Sequence, residues 1–177
     1  MSTKTNFNNQ APILEVKNLE TAFKIDGELY NAVDNVSFNV KPKQIIGVVG
    51  ESGCGKSVMS LSVMKLLPKG IGSIRNGEVI FEGKNIEKLT DKEMNKIRGK
   101  DVSMIFQEPM TSLNPVFTIG YQLQETLFNH MDISKKEARL KAIALLKSVG
   151  ISRPEKIVDE YPHQLSGGMR QRVMIAI

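Results

Sequence analysis

Tryptophan is absent from this sequence, and only 6% of its residues are aromatic. The few rings are not interleaved with basic residues, which argues against a stacking platform for nucleic acid. Cysteine occurs once, as Cys54. No disulfide can close within the chain, and no CxxC pair offers itself to zinc. That usage fits a reducing cytosol. The two histidines, His130 and His163, have no partners at metal-ligand spacing and read as structural or surface residues. The opening MSTKTNFNNQ is polar and lacks the apolar segment of a signal peptide, so residues 1–11 read as a flexible arm. No stretch approaches the roughly 18 apolar residues of a membrane span. The pattern is that of a soluble chain, or of one that reaches a membrane only through a partner.

What is present is ordinary globular material. The 177 residues are 41% hydrophobic, enough for a domain with a real core. The net charge of +5 suits phosphate-bearing ligands, nucleic acid or an anionic surface, and equally serves solubility alone.

Periodicity sorts the chain into two parts. Residues 13–17 (ILEVK) and 33–40 (VDNVSFNV) predict strands, the second placing Val36, Phe38 and Val40 on one face. Ile45–Val49 is β-branched without polar relief, which predicts a central strand buried on both faces. Residues 57–67 have helical period and stop before Pro68; residues 69–77 read as loop and 78–82 as a strand. Thr90-Asp91-Lys92-Glu93 is a capping box for a short helix ended by Gly99, and 102–106 (VSMIF) predict another apolar strand. From about 119 to 149 the sequence is mostly helical. A second capping box, Ser134-Lys135-Lys136-Glu137, opens a helix with Ala138, Ala142, Leu145, Leu146 and Val149 as its apolar stripe. The expected organisation is an arm over 1–11, a sheet-rich subdomain over 12–106 and a helical one over 107–177.

Three stretches carry chemistry. GESGCGKS, running Gly50, Glu51, Ser52, Gly53, Cys54, Gly55, Lys56, Ser57, satisfies the GxxxxGK[ST] pattern between a predicted strand and a predicted helix. A polyphosphate needs several amides aimed inward at once, and glycines permit the backbone angles that achieve this. The helix after the loop adds its positive end. Lys56 is expected on the β- and γ-phosphates and the Ser57 hydroxyl on Mg²⁺. Cys54 reads as a small residue tolerated by the loop. Gln107 ends an apolar strand with a neutral amide able to orient a water or touch Mg²⁺. Leu165-Ser166-Gly167-Gly168-Met169 precedes a helical run and is a second anion-binding design.

In this order and spacing, GESGCGKS, FQEPMTSLNP and YPHQLSGGMRQRV resemble the ATP-binding subunits of ABC transporters, within the branch of oligopeptide, dipeptide and nickel importers. The resemblance runs from about Ile13 onward. It implies an α/β P-loop NTPase core sheet with an inserted α-helical subdomain. It implies that Gly50–Ser57 is the Walker A loop binding ATP with Mg²⁺. Gln107 matches the Q-loop glutamine, a ligand and sensor of Mg²⁺ and the γ-phosphate near the transmembrane partner. Ser166, Gly167 and Gly168 match the signature motif, which closes on ATP held by a second, homologous subunit in a head-to-tail dimer. Met169 stands where Gln is commoner. An aromatic is expected on adenine, with Tyr30 preferred over Phe23.

The implied protein is a peripheral ATPase on the cytoplasmic face of the cell membrane. It works with permease subunits and, indirectly, with an extracellular solute-binding protein, and has no nucleic-acid partner. Oligopeptide, dipeptide and nickel all stay open as the solute. The Walker B carboxylates, the D-loop and the switch histidine of such a subunit do not occur in these 177 residues. The corresponding part of the core sheet is therefore expected to be missing, and the chain alone is expected to hydrolyse ATP poorly and to expose sheet edge and apolar surface. Two alternatives remain: a nucleotide-binding fragment without turnover, and an ABC ATPase with no transport role.

Overall fold

The structure is a computed structural model that describes residues 11–106 and 113–177. The expected arm and Gln107 lie outside the described residues, apart from Ala11. The chain forms two compact units, one ending at Arg98 and the other running Gly99–Ile177. The sequence reading places the change of character later, at 106/107.

The first unit is built on an antiparallel sheet in the order β2-β1-β3-β4, with β1 Leu14–Ile25, β2 Glu28–Val40, β3 Gly72–Phe81 and β4 Lys84–Asn85. These strands are longer than their alternation alone predicts. Asp26-Gly27 explains the first hairpin: both residues have positive φ, 51° and 89°, and Ile25 pairs with Glu28 across them. That two-residue turn has the twist that antiparallel strands need. Part of the predicted loop at 69–77 belongs to β3, because Ser73, Ile74 and Asn76 pair with β1.

One helix, α1 Lys56–Val63, packs on this sheet, shorter than the predicted 57–67. Val16, Leu19, Ala22, Val33, Met59 and Val79 are buried. Thr21 Oγ1 and Ser62 Oγ, also buried, share a hydrogen bond of 2.9 Å. Each hydroxyl thus has a partner where water cannot supply one. Arg98 Nε donates to the Met64 carbonyl at 2.9 Å, closing the end of α1. Helix α2, Asp91–Ile97, starts at its capping box as predicted, with Thr90 and Glu93 satisfying each other's amides.

Two predicted strands do not form. Residues 45–49 and 102–106 adopt no strand, and Val102 makes an isolated bridge. Ile45 is 97% and Val49 95% exposed, and Ile105 and Phe106 are exposed as well. The physical reason is shared. A run without alternation marks a strand covered on both faces, and such a strand exists only beside hydrogen-bonding neighbours. No described strand pairs with either segment.

The second unit is helical: α3 Ile119–His130, α4 Lys135–Ser148, α5 Pro154–Ile157 and α6 Gly167–Ala176. Its core gathers Leu113, Ile119, Leu123, Ala142, Leu146, Ile157, Val158, Leu165 and Val173. The predicted stripe of α4 is the buried one at Ala138, Ala142 and Leu146, while Leu145 and Val149 pack at its margin. Ser134 caps α4 through the predicted box. Arg139 and Asp159 form a two-pronged ion pair, both contacts 2.7 Å, joining α4 to the segment after α5.

Candidate functional site

The GESGCGKS loop is positioned by the helix at its C-terminal end. Its predicted strand is unpaired, so the anchor is α1 on the sheet. Gly55 precedes α1 with φ 89°, and a Cβ there would lie 2.1 Å from the Ala32 carbonyl oxygen. Only glycine lets the start of the helix press onto β2 this closely. Gly53 has positive φ as well, 84°.

Lys56 occupies the first turn of α1 and folds back over the loop. Its ammonium donates to the carbonyls of Gly50 and Glu51 at 2.7 and 2.6 Å, and lies 3.4 Å from Cys54 Sγ. Beside it, the amides of Lys56, Ser57 and Val58 have no acceptor among the described residues. A cation and free amides at a helix start are a donor set for an anion. Ser57 is exposed, so its hydroxyl is open to a ligand. Glu51, Ser52 and Gly53 are likewise exposed.

A cavity of about 370 Å³ opens between this loop and β2. Asn31, Ala32, Asp34 and Val48 line it together with Cys54 and Lys56. Sequence reasoning misses the contributors from β2. Their signal is only that β2 crosses the start of α1, which no motif records. Tyr30 does not line this cavity. It lies within β2, opposite Phe23, rather than ahead of the strand, with its ring half exposed and its hydroxyl donating to Glu28 Oε2 at 3.0 Å.

In the second unit, Ser166 caps α6, its Oγ accepting from the Met169 amide at 3.3 Å. Leu165 is buried and holds the turn inward, whereas Ser166, Gly167 and Gly168 are exposed. A Cβ at Gly168 would meet nothing within 4 Å, so the space in front of this helix start is open. His163 stacks on Tyr161, with ring centroids 5.6 Å apart. No cluster of His, Cys, Asp or Glu suited to a metal occurs among the described residues. Among the described residues, an ion such as Mg²⁺ would rely on the Ser57 hydroxyl and the oxygens of its own ligand.

The profile of the ABC transporter family matches residues 33–177. The oligopeptide transport ATP-binding protein AppD of Bacillus subtilis (strain 168) is 54% identical over 165 residues, 93% of this chain and 50% of its own. The dipeptide transport ATP-binding protein DppD of the same organism is 48% identical, again over 93% of this chain and 49% of its own. The chain therefore spans about half the length of the curated relatives it matches. Among solved structures, the dimeric bacterial ABC transporter cassette MJ0796 superposes with a TM-score of 0.77 at 31% identity, covering 92% of this chain and 67% of that one. The same cassette in a post-hydrolysis state, bound to ADP and Pi, gives 0.76 at 30% identity, again over 92% of this chain and 67% of its own. The fold is thus that of an ABC ATPase cassette in part, and the chain belongs to the ABC transporter family.

Proposed function

We propose that this chain is the nucleotide-binding part of a peptide importer's ATP-binding subunit. The observation that carries the proposal is the GESGCGKS loop, where Lys56 and the amides at the start of α1, unpaired among the described residues, converge beside a cavity. The likeness to oligopeptide and dipeptide transport ATP-binding proteins supplies the transport role.

In this reading Lys56 exchanges contacts with its own carbonyls for contacts with the β- and γ-phosphates, and the amides at 56–58 bind the same group. Mg²⁺ would neutralise phosphate charge when bound, held by the Ser57 hydroxyl and by Gln107, which lies outside the described residues. Ser166, Gly167 and Gly168 present the α6 N-terminus to ATP on a second, homologous subunit. Closure of the two subunits on ATP drives the permease from the cytoplasmic face of the membrane, and hydrolysis resets it. No described helix is long and apolar enough to cross a membrane.

Equilibrium titration with fluorescent ATP and Mg²⁺ tests the central step. Lys56→Ala is expected to weaken binding by about tenfold or more, because a charge-assisted contact is lost. Unchanged affinity in that variant, or no binding by the folded parent chain, overturns the assignment.

A further inference from the structure

We propose that Arg172 is a positioning residue that fixes the direction of the α6 N-terminus, and with it the aim of Ser166, Gly167 and Gly168. The functional half of this inference rests on the reading of those three residues given above.

Packing at the start of α6 rests on Leu165, buried just before it, and on Met169, partly buried against the helical core. Ser166, Gly167 and Gly168 are exposed, and Gly168 has no neighbour where a side chain would point. The buried contacts of α6, Val173 and Ala176, lie further along the helix. Apolar contacts are non-directional, so a short helix held by them can still pivot at its start. Arg172 is one turn beyond Gly168, on the same face, and a helical side chain leans back toward the N-terminus. Its Nη1 donates to the Gly150 carbonyl at 2.9 Å and approaches that of Val149 at 3.4 Å. Those carbonyls close the C-terminus of α4, the negative end of a helix dipole, where a guanidinium is favoured.

Gly150 fits the same arrangement. A Cβ there would lie 2.8 Å from Arg172 Nη1, so the space that a side chain would occupy belongs to the guanidinium. The neighbouring Arg170 has no such bond among the described residues, and its buried Nε is without a hydrogen-bond partner there. One cation thus staples the phosphate-facing turn of α6 to the end of α4. A site completed across two subunits needs its donors held to about half an ångström, which a pivoting helix does not provide.

The test uses the full chain with Arg172→Met, which keeps the aliphatic stem, and Arg172→Lys, which keeps one charged donor. Circular dichroism confirms folding, and should the Met variant unfold, the Lys variant carries the comparison. Without nucleotide, amide hydrogen exchange at Met169 and Arg170 is expected to quicken severalfold in both variants, with α3 unchanged. Equal exchange at these amides overturns the staple. With ATP and Mg²⁺, binding of labelled ATP is expected to stay as in the parent. ATP-dependent pairing, read by sedimentation, is expected to weaken about tenfold in Arg172→Met and less in Arg172→Lys. Pairing equal to the parent's in a variant with quickened exchange overturns the positioning role and leaves the ATP-binding assignment standing. Failure of the parent to bind ATP overturns that assignment instead, while the exchange measurement still decides the staple.

Discussion

Two side chains show how much a single residue settles. Lys56 is legible at once, because its place in GxxxxGK[ST] is a matter of spacing. What it touches in this structure, the Gly50 and Glu51 carbonyls, depends on the loop's curvature and is not legible. Gln122 is the converse. It lies on α3 inside a helical run with nothing to mark it, yet it is buried and fully bonded. Its Oε1 accepts from the Asn114 amide at 2.9 Å, and its Nε2 donates to the carbonyls of Asn114 and Phe117, both at 3.0 Å. A single amide therefore clips the segment leading into α3. Gln122→Leu leaves three backbone groups without this partner. We expect a loss of about 1–3 kcal/mol in stability, measured by urea unfolding. A loss below the error of that measurement means that water replaces the amide at no cost.

At the scale of elements, the helix starts are where sequence and structure agree best. Thr90 with Glu93, and Ser134 with Glu137, form the reciprocal boxes that their spacing predicts. A box is closed by residues three apart, so its hydrogen bonds need no partner from a distant part of the fold. The boxes also set an acid response. The Thr90 hydroxyl, then its amide, holds the Glu93 carboxyl below its ordinary 4.5, and Ser134 does the same for Glu137. A carboxyl depressed on folding stabilises the folded state above its unfolded value, and that contribution is lost as pH falls through the folded one. Helicity measured by circular dichroism should therefore become less resistant to heat as pH drops below 4.5. Glu137→Gln should shallow that dependence; an unaltered pH profile in this variant counts against the box as its source. Strands fare differently. Asp26-Gly27 carries a hairpin signal that alternation alone understates, and β1 and β2 run the full length of that hairpin.

For the molecule as a whole, the consequential feature is the apolar run Ile45–Val49. It has the composition of a buried central strand but stands largely in solvent. An exposed β-branched segment with free amides is a template for pairing with other chains. Association independent of nucleotide is therefore expected at high concentration. Ile45→Lys should suppress it in light scattering, since Ile45 is exposed and makes no strand contact to lose. Scattering that does not respond to this change would direct attention to another surface.

The sequence by itself determined whatever is local. It set the helix starts through caps three residues apart, the GxxxxGK[ST] pattern through glycine and lysine spacing, and the family through three motifs in order. Tertiary structure alone decided whether Ile45–Val49 becomes a strand, because a strand is a relation between segments and requires a hydrogen-bonding neighbour. It also decided that β2 lines the cavity beside Lys56 and that Arg172 reaches the end of α4. Both are contacts between residues remote along the chain, brought together by packing on a shared core, and no short window of sequence records them.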